Sequence, residues 1–293
     1  MSDDEVIPEA PEEPSNPAGT GELSHGERIE AALLGALAGE RAAQAPSAAG
    51  DLLGVADSIA SVGAFDADDL RNRGLAAASQ AGAAGLLLRA VPYGLLSPLD
   101  RPRVRRDAYR IAVLAGADEG TAIAAIAAAL MAADLTRFDP ATTAVRVRQS
   151  LLEDAPFALL ERLRPDPGSL LPLPAAGEPA AGEAAAQPAT PDDDPGAALQ
   201  VALTAVWDAE SIETAIASAA RTGRRAATSL AGVFAGARLG GRTIDDEWRT
   251  TLPHSHRASA VAAAMAAQAG RIEDAATEEP AQPAEAGTLP SPW

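Results

Sequence analysis

Two adjacent arginines, Arg224 and Arg225, stand directly before a run of helix-forming residues that stops at Gly240-Gly241. Guanidinium groups at a helix N-terminus suit a phosphate or carboxylate, because the donor fork and the helix dipole act on the same anion. The alternative use of such a pair is a solvated loop. Glu40, Asp51 and Asp57, close together early in the chain, are the acids weighed as cation ligands. Hard divalent cations take several clustered oxygens, so three such acids are expected to cap helices or face solvent. His254-Ser255-His256 offers two imidazoles but no third ligand nearby, and the chain has no cysteine, which argues against a zinc site. Arg101, Arg103, Arg105, Arg106 and Arg110 form a basic cluster without interleaved aromatics. That pattern is a poor nucleic-acid signal and is expected to be a solvated face or a dock for the chain's own acidic segments. No phosphate-binding loop or dinucleotide fingerprint is present, and no spacing suggests a Ser-His-Asp triad.

The elements that must position these residues are helices. Alanine dominates the sequence, aromatics are 3% of it, and all 23 basic residues are arginine. Alanine is the strongest intrinsic helix former, whereas aromatic and β-branched residues favour strands. Ser24-His25-Gly26-Glu27 has capping-box form, and the apolar spacing after it predicts a helix to about Gln44. Further helices are expected over 51–62, from about 67 behind Asp66, over 103–114, 118–135, 142–164, 197–208, 211–221, 225–239 and 254–270, with a short one near Trp248. Residues 75–97 read as helix, break and helix, punctuated by Gly82, Gly85, Pro92 and Gly94. Trp207 and Trp248 read as packing residues, and Trp293 as the end of a tail.

The net charge of −18 is unevenly placed. Residues 1–22 hold seven acids and no base, and residues 165–197 hold six acids and no base. Residues 271–293 hold five acids and one arginine, which leaves the rest of the chain near neutral. Segments of this composition bury too little apolar surface to offset their ordering entropy. The expectation is therefore an acidic disordered tail over 1–23 and another over 271–293. A Pro/Ala/Asp-rich linker over 165–197 is inserted in one helical domain, formed by 24–164 and 198–270. An acidic balance disfavours nucleic acid as a partner. No apolar run reaches the length of a membrane span, and the acidic N-terminus is unlike a secretory signal, so a soluble cytoplasmic protein is expected.

Three colinear segments resemble the ADP-ribosylglycohydrolases, the family of the dinitrogenase reductase-activating glycohydrolase. Residues 27–40, from Glu27-Arg28-Ile29 to Ala38-Gly39-Glu40, are similar to the opening "DRIRGALLGLAVGDALG". Residues 83–95, with Gly85, Arg89, Pro92 and Gly94, run parallel to "GNGSLMRAAPLGL". Residues 210–216 fit "SFEEAV", residues 229–240 fit the end of "NLGGDTDTTAAIAGALAGALYG", and Ile244 to Trp248 resembles "IPxxW". The resemblance implies an all-α, orthogonal helical bundle. It also implies two magnesium or manganese ions, held by carboxylates of an early "TDDT" and the late "DTDT", for cleavage of glycosidic bonds to ADP-ribose.

The polar half of each motif has changed here. Alignment puts the first motif at Pro46-Ser47-Ala48-Ala49 and the second's "DTD" at Gly223-Arg224-Arg225. A protonated arginine has no lone pair to give a metal. The opening "GDALG" reads Gly39-Glu40-Arg41-Ala42-Ala43. The resemblance thus implies a retained fold without catalysis. No catalytic residue, metal ligand or cofactor is expected. The candidate ligand-binding residues are Arg224, Arg225, Gly85 and Arg89, and the expected partner is an ADP-ribose-like anion or a protein. Two other readings stand beside this one: an active metal-dependent hydrolase that removes ADP-ribose, and a helical interaction protein without a ligand.

Overall fold

Ser24 starts the first helix as its sequence dictates. Its hydroxyl accepts from the Glu27 N–H at 3.2 Å, while the Glu27 carboxylate accepts from the Ser24 N–H at 2.7 Å. Two orphan donors of the first turn are thereby satisfied. In a computed structural model the described residues are 23–44, 48–79, 81–164, 194–241, 244 and 246–277. They form helices α1 (His25–Ala43), α2 (Ala49–Val62), α3 (Ala67–Asn72), α4 (Gly82–Leu96), α5 (Arg101–Leu114), α6 (Glu119–Leu135), α7 (Pro140–Ser150) and α8 (Phe157–Arg162). They continue with α9 (Pro195–Trp207), α10 (Ile212–Ala220), α11 (Arg225–Leu239), α12 (Asp246–Thr251) and α13 (Ser255–Thr277). No strand occurs among the described residues, so the chain is all-α. Of the tails expected over 1–23 and 271–293, residues 1–22 and 278–293 lie outside the described residues, as do 165–193 of the expected linker, whereas 271–277 continue α13 as helix instead of beginning a tail. No helix among those described is long and apolar enough to cross a membrane.

The centre is an antiparallel pair, α1 against α11, joined at glycines. A Cβ on Gly35 would fall inside van der Waals contact of the Gly232 carbonyl, and one on Gly232 would do the same to Gly35. Gly236 meets the Ala31 backbone, and a Cβ on Gly39 would lie 2.6 Å from the Thr228 carbonyl oxygen. Two GxxxG spacings, 35/39 and 232/236, therefore bring the backbones together. Helix axes cannot approach this closely across ordinary side chains. Helix α6 is buried on all sides from Thr121 to Leu135, as expected of a helix without a polar face. It lies against α4, where Gly94 fits the Ala129 backbone.

Three local readings change. Residues 82–96 form one helix rather than two, with Pro92 inside it. Gly85 and Gly94 are sites of close packing rather than breaks. Conversely 142–164 divides into α7 and α8, because Pro156 disfavours a helical Ala155, and a turn closes with the Ala155 N–H on the Leu151 carbonyl at 2.8 Å. The last helix starts after His254, whose φ is +62°. It ends at Thr277, past the expected 270.

Among the described residues the arginine cluster is engaged by acids of the helices themselves, while Arg106 and Arg110 remain more than half exposed. Arg101 donates through Nη1 to both carboxylate oxygens of the buried Asp134, at 2.8 and 2.7 Å, and Arg146 adds a donor at 3.3 Å. Asp107, 2% exposed, is surrounded by Arg103, Arg106 and Arg110 at 3.8, 2.9 and 3.9 Å. Arg105 bonds Asp154 at 2.5 Å. These clamps tie α5 to α6 and to the α7–α8 turn. Removing one partner of a buried pair leaves an uncompensated charge. Asp134→Asn is expected to lower stability by about 3 kcal/mol, the low end for such a change because Arg101 reaches solvent. Urea unfolding of the variant checks this, and a loss below about 1 kcal/mol would show the clamp to be dispensable.

Candidate functional site

Helix α11 begins at a sharp turn. Gly223 has φ +71°, and Arg224 takes the cap position with extended backbone. The Arg224 side chain is buried and Arg225 is half-buried. Across from Arg224 stands Asp194, the cap of α9, which accepts from the Ala197 N–H at 2.9 Å and from Arg162 at 2.6 Å. Burial pushes the Asp194 carboxyl up, but the hydrogen bonds from Arg162 and Ala197, with the charges of Arg162 and Arg224, more than offset it. The result lies below the ordinary aspartate value. Asp194 therefore remains a carboxylate, and the Arg224 charge stands beside an anion supplied by the chain itself.

The last turns of α1 reach the same end of α11. Gly39 lies on Thr228 and Ser229. The Thr228 hydroxyl donates to the Arg224 carbonyl at 2.8 Å. The Ser229 hydroxyl is buried with no hydrogen-bond partner among the described residues.

Gly85 and Arg89 meet elsewhere, on the face of α4 turned to α2 and the 75–81 loop. Arg89 is 3% exposed. It donates to Asp51 through Nε at 3.0 Å and Nη2 at 2.7 Å, and to the carbonyls of Leu75 at 2.8 Å and Ala77 at 2.5 Å. Gly85 packs on Ser79 and Ala81. No hydrogen bond or ion pair joins this pair to Arg224 or Arg225 among the described residues.

The three acids considered as cation ligands are placed apart. Asp51 is engaged by Arg89, and Asp57 accepts from Arg73 at 2.7 Å and Arg257 at 3.2 Å. Glu40 lies in the last turns of α1. Among the described residues no group of three or more His, Asp or Glu side chains could hold a metal ion. Residues 46–47 of the first aligned motif lie outside the described residues. His254 and His256 are both exposed. Trp207 and Trp248 are half-buried against the core, and Trp293 lies outside the described residues.

A cavity of about 370 Å³ opens between the end of α1 and α12, its walls including Ala38, Arg41, Gln44, Glu247, Trp248 and Thr251. Sequence reading assigned none of these six to a site. The signal available was the replacement of Ala and Leu in the opening motif by Arg41 and Ala42.

Comparison with solved structures finds the same architecture. A chain described as "ADP-ribosylglycohydrolase-related protein complex" superposes with a TM-score of 0.66 at 19% identity, covering 84% of this chain and 99% of that one. The protein thus has the ADP-ribosylglycohydrolase-like all-α fold. No family model matches the sequence. No curated protein matches it either.

Proposed function

We propose that this protein is a degenerate, non-catalytic relative of the ADP-ribosylglycohydrolases that binds an ADP-ribose-like anion at the N-terminus of α11. The reading treats 24–164 and 198–270 as one helical unit. The observation that carries it is the exchange of acids for arginines at the positions of the resembling motifs. Arg224 and Arg225 occupy the N-terminus of α11, where the motif has aspartates, and Asp51 is bound by Arg89 on two donors. The described donor set does not suit a pair of divalent cations, because hard cations need several converging oxygens. The remaining chemistry is that of anion capture, with guanidinium groups and helix N–H donors.

Calorimetry tests this directly. Magnesium and manganese are expected to show no two-site micromolar binding, and no ADP-ribose release is expected from an ADP-ribosylated protein. ADP-ribose itself is expected to bind saturably. Arg225→Ala should weaken binding about tenfold, the equivalent of about 1.4 kcal/mol, and Arg224→Ala at least as much. Circular dichroism checks that the variants fold. Two-site metal binding or ADP-ribose release would establish the hydrolase instead. Absence of ADP-ribose binding by the folded wild-type chain would favour an interaction protein without a ligand.

A further inference from the structure

Helix α5 turns a face outward that is both basic and apolar. Arg106, Tyr109 and Val113 follow one another at spacings of three and four residues, with Arg110 beside them, and all four are exposed. Such spacing puts side chains on one helix face. The opposite face, through Val104, Ala108, Ile111 and Ala112, is buried. Tyr109 is 45% and Val113 49% exposed, so no described element covers them. The two guanidinium groups have donors to spare. Arg106 gives Nε and Nη2 to Asp107 at 2.9 and 3.4 Å. Arg110 stands 3.9 Å from the same acid, beyond hydrogen-bonding distance, and lies over the Phe65 ring. Arg103 also approaches Asp107, so three cations share one buried carboxylate, with Asp100 the other acid acting on Arg106.

A face of this kind takes a segment whose acids adjoin apolar residues. The chain carries one: Asp3-Asp4-Glu5-Val6-Ile7 sets three carboxylates directly before two branched aliphatic side chains. Residues 1–22 hold seven acids and no base, against three acids in 278–293. They also join the described chain near α5. The His25 ring Nε2 is 2.8 Å from the Leu95 carbonyl at the end of α4, and the turn closed by the Asp100 N–H on the Ser97 carbonyl leads from there into α5. The sixteen residues from Ile7 to Leu23 reach up to about 55 Å when extended. Helix α5 is about 20 Å long. A net charge of −18 opposes the approach of an anionic lipid surface, a nucleic acid or a separate acidic protein. A tethered segment meets that repulsion at a high effective concentration, which favours the chain's own acids as the occupant.

We propose that residues 1–22 dock in cis on the outer face of α5, with the acids of Asp3-Asp4-Glu5 on Arg106 and Arg110 and with Val6 and Ile7 against Tyr109 and Val113. Carboxylates take up the unused guanidinium donors in charge-assisted hydrogen bonds. The aliphatic pair removes exposed apolar surface from water. Docked there, the segment is an internal competitor, and any acidic partner must displace it to reach α5. The face shares no residue with Arg224, Arg225, Gly85 or Arg89, so the proposal stands or falls apart from the function proposed above.

The chain has no cysteine, so Ala10→Cys carries a nitroxide at a single position. NMR of the full labelled chain reads the amide signals of 106–113 against the reduced, diamagnetic label. A short tether supplies an effective concentration of about 1 mM, so a contact with a Kd of about 1 mM is half formed and about a twofold loss of those signals is expected. Salt at about 1 M, where the Debye length is about 3 Å, should restore most of the intensity. Asp3→Asn, Asp4→Asn and Glu5→Gln together, which alter no described residue, should restore it at low salt, and so should Arg110→Gln. Full α5 intensity in the labelled wild-type background would overturn the proposal, as would a loss that survives the triple change. Attenuation passed to an isotope-labelled copy without nitroxide would assign the face to a second copy's segment. Binding to phosphatidylserine vesicles that Arg110→Gln abolishes would assign it to a lipid surface. Either result overturns docking in cis.

Discussion

Gly35→Val is expected to destabilise the protein by about 4 kcal/mol or more, because the added carbons must enter space held by backbone. Overpacking a core typically costs about 1–3 kcal/mol when neighbouring side chains can shift. Here the obstacle is the Gly232 carbonyl on the facing helix, which has no rotamer to change. Relief requires α1 and α11 to move apart, and both are buried along most of their length. The loss would propagate to the Arg28 contacts with the Ala237 and Arg238 carbonyls at 3.0 and 2.7 Å. Gly50→Ala is the matched control. Gly50 lies inside α2 with open space where its Cβ would be. Alanine there is expected to stabilise by about 0.5–1 kcal/mol through the unfolded chain. Urea midpoints for the two variants should move in opposite directions. A Gly35→Val protein as stable as wild type would refute the close helix contact.

Arg89→Ala is expected to cost about 3–5 kcal/mol, the range for breaking a buried charge pair. The change leaves Asp51 and the Leu75 and Ala77 carbonyls without their donor and opens a cavity beside α2. Arg89→Lys should recover only part of the loss. A lysine presents a single ammonium, where Arg89 uses three nitrogens in fixed geometry. The double variant Arg89→Met with Asp51→Leu should be more stable than Arg89→Ala, since removing both charges leaves no uncompensated ion. ADP-ribose calorimetry on that double variant separates two roles for Arg89. Retained affinity makes it a structural tie between α2, α4 and the 75–81 loop. Affinity lost in a folded double variant makes it part of the anion site.

Much of the fold was legible residue by residue where the determinant is local. Ser24 and Asp66 cap the helices expected behind them, because a cap needs only a side chain and an N–H two or three residues away, and the expected starts at 118 and 211 prove to be cap residues too. Pro92 and Gly85 misled for the opposite reason. Their local preference is to interrupt, yet Gly85 and Gly94 answer to Ser79, Ala81 and Ala129, which approach only in the folded chain. The candidate site divides in the same way. That Arg224 and Arg225 precede a helix was readable from the Gly223 turn and the run after it. That Asp194 stands beside Arg224 was not, because some 30 residues of chain separate them.

The amino-acid sequence by itself determined the helical class and the caps at Ser24 and Asp66. These are properties of residue type and short spacing. Only the tertiary structure decided where the charges go: five clustered arginines into clamps on Asp107, Asp134 and Asp154, and Arg89 onto Asp51. An ion's partner is fixed by distance in space, and in a bundle of thirteen described helices that distance follows from how glycines and alanines let the helices meet.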